Sequence, residues 1–314
     1  MAATLTPLTI EDFRGDPRRT RRNTQMKLLF SAMAMLSIVI SALIVLSLAG
    51  EAWNFITNVD PSSLLADGWY PRFGDYGITT LFVGSLLVGI IAMAVAAPIG
   101  LAVAIYLSEY AKPRVRKWLK PTMEILAGIP SVVLGFFALS YISPEFVQKV
   151  FGDANQSNLL AAGLAVGILT IPLIASVSED AMSAVPGALR EASYGMGARK
   201  ITTVRQVVLP AAVSGLVAAM ILGVSRAIGE TMVVTIAAGG AGGAAFTTNP
   251  LDPGLTMTAA MATQARGTDA VAVAGDGGNL VFPSLFFVGL LLFLFTLVLN
   301  VVAGRFVRRV REAY

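Results

Sequence analysis

The chain of 314 residues is 55% hydrophobic and 13% charged, with a formal net charge of +4 and a mean hydropathy of +0.73. Soluble proteins average about a quarter charged residues, so this composition marks a polytopic membrane protein. Histidine and cysteine are both absent, which excludes an intramembrane metalloprotease or a thiol enzyme. Composition alone leaves a serine–lysine hydrolase open, although no lysine lies inside an apolar run.

The chain opens on a basic leader, residues 1–27, holding Arg14, Arg18, Arg19, Arg21, Arg22 and Lys27. Six apolar stretches follow, at about 28–49, 77–107, 122–143, 158–177, 211–238 and 283–304. Each reaches the roughly 20 residues a helix needs to cross the hydrocarbon core. Barrel strands would alternate apolar and polar over about ten residues, whereas these runs are continuous, so the fold class is an all-α integral membrane protein with six transmembrane helices. The first run exceeds the apolar core of a signal peptide, about 7–15 residues, and is expected to remain as an uncleaved helix.

Between the first two runs, residues 51–76 carry Trp53, Trp69 and Tyr70, aromatic residues of the kind that settle at a membrane interface. Lys112, Arg114, Arg116, Lys117 and Lys120 separate the second and third runs, and Arg190, Arg199, Lys200 and Arg205 follow the fourth. Arg305, Arg308, Arg309 and Arg311 follow the sixth, in and before a tail at 311–314, whereas the alternate loops hold only Arg72, Lys149 and Arg266. Basic residues are retained on the cytoplasmic side, so both termini and the loop 178–209 are expected there, in a cell (inner) membrane. The positive charge is distributed over separate juxtamembrane segments, which gives a topology signal and implies no nucleic-acid partner.

Pro98, Pro130 and Pro172 fall in or near the second, third and fourth runs. Broken helices at membrane depth favour a central pathway, the competing reading being kinked packing helped by Gly128, Gly135, Gly163 and Gly167. The external loop 239–282 contains Gly239 to Gly243 and Gly275 to Gly278, and reads as a flexible connector or as a docking surface. Its apolar stretch Leu255 to Ala262 is expected to form a helix near the outer surface.

The fifth run contains Ser225-Arg226-Ala227-Ile228-Gly229-Glu230-Thr231. An arginine at the centre of a bilayer costs roughly 2.5–3.5 kcal/mol on insertion scales, so both charges are expected to face inward. In a continuous helix the spacing of four puts Arg226 and Glu230 on one face, about 6 Å apart along the axis. Two readings compete, a structural ion pair and a pair lining an anion's path. The path is favoured because burying an ion pair is a weak source of stability and because a guanidinium fork suits a tetrahedral oxyanion. Glu230 is then expected to hold Arg226 while the path is empty and to release it as the anion arrives.

A phosphate loop of the form G-x-x-x-x-G-K-[ST] is absent, so the chain carries no ATPase of its own. The loop 178–209 reads instead as a lever, with Glu191-Ala192-Ser193, three residues, Gly197, nine residues and Val207-Val208-Leu209-Pro210. Two short helices hinged at Gly197 and stopped before Pro210 are expected.

This spacing resembles the glutamate-alanine-alanine signature (EAA motif) of the permease subunits of ATP-binding-cassette importers, with Ser193 and Val207 as departures from its commonest residues. Within that family, Leu126 to Phe136 and Arg226 to Met232 are similar to the phosphate-specific (Pst) system, more its C-type than its A-type permease. The resemblance covers roughly residues 28–310 and implies a type I importer permease fold, a first helix packed peripherally and five core helices around the path. It implies a sister A-type permease, two cytoplasmic ATP-binding subunits that hold ATP and Mg, and a periplasmic or extracellular phosphate-binding protein, with no cofactor and no enzymatic activity in this chain. Arg226, Glu230, Thr231 and Ser131 are the expected pathway residues. Glu191, Ala192, Gly197, Leu209 and Pro210 are the expected ATPase-coupling residues. A sulfate or molybdate permease and an ion-driven secondary transporter are the alternatives.

Overall fold

A computed structural model describes residues 17–240, 243–266 and 280–310. Arg14, Ala241, Gly242, the Gly275 to Gly278 segment and the tail 311–314 lie outside the described residues. The chain divides into two units, Met1–Gly50 and Glu51–Tyr314. Helix α1 (Pro17–Asn58) makes up the described part of the first unit and continues into the second. It opens on a proline, whose missing N–H is one of the unpaired donors of any helix start, so the basic leader is helical from Pro17 onward.

In the second unit, α1 leads to strands β1 (Gly68–Tyr70) and β2 (Asp75–Tyr76), which form a small antiparallel sheet with β3 (Ala244–Ala245) in the order β2-β1-β3. Trp69 pairs with Tyr76 in register and is buried, so it serves the core of this sheet and not a lipid interface, whereas Trp53 is exposed. Phe55 meets Tyr76 of β2 edge to face and Phe287 at a tilt, with ring centroids 5.0 Å apart in each pair.

Helix α2 (Ile78–Ile105) extends through a π-helical turn to Tyr110 and packs against α6 (Leu159–Ser183), the most enclosed span, with 61% of its apolar window buried. Small residues allow the close approach. A methyl at Gly163 would lie 2.7 Å from the Ile91 side chain, and one at Gly167 would lie 2.9 Å from the Ala92 carbonyl. Asn158 caps α6 by accepting the Ala161 N–H at 2.7 Å, and its amide donates to Ser143 Oγ at 2.9 Å.

The third span is displaced from the expected 122–143. It runs Ser131–Val150, as α4 (Ser131–Phe137), a π-helical stretch to Val147 and the turn α5 (Gln148–Val150). Residues 122–127 instead end α3 (Pro113–Ala127), an amphipathic helix that stops at Gly128 before the Pro130 break. The apolar residues of α3 merge with those of α4 in a linear reading, and only the charges at helical spacing separate them.

The fifth span is displaced in the opposite sense. It runs Lys200–Ile228, from α8 (Lys200–Thr203) through a π-helical stretch Val204–Val208 into α9 (Leu209–Ile228). Pro210 therefore lies inside a helix and does not stop one. The wider π-helical turns ahead of it change the carbonyl pairing where the proline supplies no N–H. At the far end the helix stops at Ile228, and residues beyond the break form α10 (Met232–Ala237).

The loop 239–282 also departs from expectation. Helix α11 (Met257–Ala265) is buried against α2, α10 and α12 (Val281–Val310), not laid on the outer surface. It is too short to span, and its first turn is satisfied by protein: Thr256 caps the Ala259 N–H at 3.2 Å, and Ser85 Oγ accepts the Met257 N–H at 3.0 Å. Gly84 makes room for its entry, since a methyl there would sit 2.3 Å from the Leu255 carbonyl oxygen.

Candidate functional site

Arg226 lies in the last turn of α9, which closes when the Gly229 N–H donates to the Ser225 carbonyl at 3.1 Å. Glu230 and Thr231 follow in the break. The expected common helical face of Arg226 and Glu230 is thus lost, because the helix ends between them, and no ion pair joins them among the described residues. Glu230 Oε1 instead accepts the Val233 N–H at 3.4 Å at the start of α10, while its carbonyl accepts the Thr258 hydroxyl of α11 at 2.8 Å. Thr231 occupies the cap position of α10 and donates its hydroxyl to the Gly229 carbonyl at 3.3 Å.

Ser131 begins α4 directly after Pro130. Helix α10 packs on α4 at Gly135, where a methyl would lie 3.1 Å from Val233 Cα. The fold therefore brings the helices that start at the two broken segments, 128–130 and 229–231, against each other. Breaks of this kind are tolerated at membrane depth where protein or a cavity receives the freed groups.

A cavity of about 250 Å³ lies between α3, α6 and α9, lined by Lys120, Met123 and Glu124 of α3, Pro172 and Ser176 of α6, and Arg226. Among the described residues no ion pair engages Arg226, which is exposed. Ser131, Glu230 and Thr231 do not line this cavity. A guanidinium without a carboxylate partner, set in mostly apolar walls, is suited to receive an anion.

At the other end of the cavity stands a charge cluster that a linear reading treats as topology signal alone. Glu179, 1% exposed at its side chain, takes Arg116 on Oε1 and Lys120 on Oε2, the latter at 2.9 Å. Ser183 donates to Glu179 Oε1 at 3.1 Å, and Lys120 also reaches Asp180 at 3.0 Å. The Glu179 carboxylate, and next Asp180, raise the Lys120 ammonium above the ordinary lysine value. The signal for this cluster was present: Arg116 and Lys120 are four apart on α3, as are Glu179 and Ser183 on α6, which places each pair on one helical face.

The lever takes a related form. Helix α7 (Gly187–Gly195) carries Glu191 and Ala192 on its exposed side, and Gly197 follows it with φ +80°, in the left-handed region that glycine adopts at little cost. Ser193 and Thr203 hydroxyls lie 2.8 Å apart, tying α7 to α8 across that turn. Arg190 anchors the unit from behind: it pairs with the nearly buried Glu109 at 2.9 Å and donates to the carbonyls of Met182 at 2.8 Å and Val185 at 2.6 Å. Leu209 is half-buried, and Pro210 is exposed in the first turn of α9.

Residues 96–312 match the family described as binding-protein-dependent transport system inner membrane component. A probable ABC transporter permease protein, YqgH, of Bacillus subtilis is 36% identical over 230 residues, covering 70% of this chain and 74% of that protein. The phosphate transport system permease protein PstC of Haemophilus influenzae is 31% identical over 298 residues, covering 89% of this chain and 91% of the relative. In fold, the chain is similar to a solved bacterial ABC transporter involved in import of the acidic polysaccharide alginate, with a TM-score of 0.62 at 12% identity over 94% of this chain and all of that one. With six helices long and apolar enough to span among the described residues and the type I ABC importer permease fold, the chain belongs to the binding-protein-dependent transport system inner membrane components and is a transport subunit of that family.

Proposed function

We propose that this chain is the C-type permease of an ATP-driven phosphate importer. The observation that carries the reading is Arg226, a cation with no ion-pair partner among the described residues, on the wall of a cavity between α3, α6 and α9, in a chain similar over most of its length to a phosphate transport permease. Phosphate bears a proton near neutral pH and so has both donors and acceptors, which suits a path that passes Arg226 and the Glu230–Thr231 break. A sister permease completes the path, and a phosphate-binding protein delivers the anion from outside.

The energy comes from two cytoplasmic ATPase subunits that bind ATP and Mg. Helix α7 seats in an ATPase cleft as a helix in a groove and passes closure of the ATPase pair to α9 through the Gly197 turn and to α2 and α6 through Arg190. The permeases then rock between outward- and inward-facing states, driven by the differences in how ATP and cargo bind each state. Both termini and α7 lie on the cytoplasmic side of the inner membrane under this reading.

Arg226→Gln in the assembled importer is expected to lower phosphate uptake at least about tenfold, the size of one lost charge-assisted contact, with assembly intact. Glu230→Gln is expected to impair uptake as well, and normal uptake in both variants would overturn the pathway assignment. Gly197→Val is expected to leave insertion intact and to separate ATP hydrolysis from uptake, because a β-branched residue at φ +80° costs about 1–2 kcal/mol and shifts the lever. Hydrolysis and uptake that stay in wild-type proportion would contradict the coupling role.

A further inference from the structure

We propose that Lys120 is a second cation station for the transported oxyanion, on the cavity of Arg226 and nearer the C-terminal end of α6; this rests on the phosphate reading above. The geometry that supports it begins with the antiparallel contact of α6 and α9. Gly215 meets Ala181 and Gly223 meets Ile174, and this register brings Arg226 level with Thr170 and Ile171. Lys120 is tied to Glu179 and Asp180, about nine residues further along α6 or roughly 13 Å. Both cations nevertheless line one cavity, with Pro172, Leu173 and Ser176 of α6 between them. The two cations thus reach the cavity from different levels of α6 and act in succession.

The pairing of Glu179 with Arg116 lets Lys120 move at small cost, since its other partner, Asp180, is 65% exposed and is left to water. A buried carboxylate stripped of its partner is costly, and a lone Lys120–Glu179 pair would therefore lock the lysine in place. Here Arg116 and the Ser183 hydroxyl hold Oε1 while Lys120 holds Oε2. Lys120 can thus turn its ammonium into the cavity and leave Glu179 neutralised by Arg116. The lysine side chain suits this task, being a flexible stem with a compact charge. Glu124, also on the cavity wall, repels a fully ionised anion and disfavours its residence, which helps release.

Uptake of labelled phosphate by the assembled importer separates this role from a structural one. If Lys120 only shares with Arg116 the neutralisation of Glu179, then the double variant Lys120→Met with Glu179→Gln leaves no buried carboxylate to neutralise and restores uptake. The proposal predicts that the double variant assembles and remains about tenfold slower at low phosphate, while Lys120→Arg retains most activity. Wild-type rates in the double variant would overturn it. The chain contains no cysteine, which allows an independent reading. Lys120→Cys is expected to regain uptake after reaction with an aminoethyl thiosulfonate, which rebuilds an ammonium, and not after a neutral reagent of the same size; equal recovery with both would also overturn it. If the wild-type importer fails to take up phosphate at all, the cargo assignment fails and not the station.

Discussion

Arg190 shows how much a single side chain can organise in this protein. Its guanidinium pairs with Glu109 at the end of α2 and caps two carbonyls at the C-terminal end of α6, where a cation also meets the negative end of the helix dipole. Removing it leaves Glu109, 5% exposed, without its partner. Arg190→Ala is therefore expected to cost about 3 kcal/mol, seen as a lowered thermal midpoint of the detergent-solubilised complex, and to loosen α7 from the core. An unchanged midpoint would show that Glu109 finds water or another cation at no cost. The charge of Arg190 was legible in the sequence as a topology marker, but its partner lies 81 positions away. Distant pairing of that kind has no local periodicity to reveal it. Arg226 stood out for the opposite reason: an ionisable residue in an apolar run is conspicuous without any partner.

At the scale of elements, the breaks and the short buried helix set where the spans begin and end. Continuous runs of apolar residues match in number the six spanning helices among the described residues, because length and hydropathy are local properties. Two spans were nevertheless displaced, since an amphipathic helix abutting Gly128 and a helix running through Pro210 look in linear form like extensions or ends of their neighbours. The common helical face assigned to Arg226 and Glu230 failed through the same effect, with Gly229 closing α9 between them. Helix α11 was hidden because a nine-residue helix is too short to read as a span, and only its long-range partners Ser85 and Glu230 show that it is inserted. Gly84→Ala tests that insertion. The added methyl meets backbone at Leu255, so overpacking of about 1–3 kcal/mol and a shift of α11 away from the Glu230 carbonyl are expected. Protease or label accessibility of residues 257–265 should rise; no change in accessibility and stability would show that the loop yields freely.

For the whole molecule, the arrangement is a core of α2, α6 and α9 with a cation-bearing cavity on one side and an anchored lever at one end. Under the proposed coupling role of α7, Arg190, Glu109 and the end of α6 are the contacts that would carry its movement towards the cavity. ATP-driven accumulation of labelled phosphate in proteoliposomes holding the assembled importer and its binding protein, with sulfate in excess as competitor, tests the central claim most directly. The account predicts ATP-dependent phosphate accumulation that sulfate does not reduce and that Arg226→Gln abolishes or lowers about tenfold. Accumulation without ATP, equal competition by sulfate, or normal transport by Arg226→Gln would contradict it.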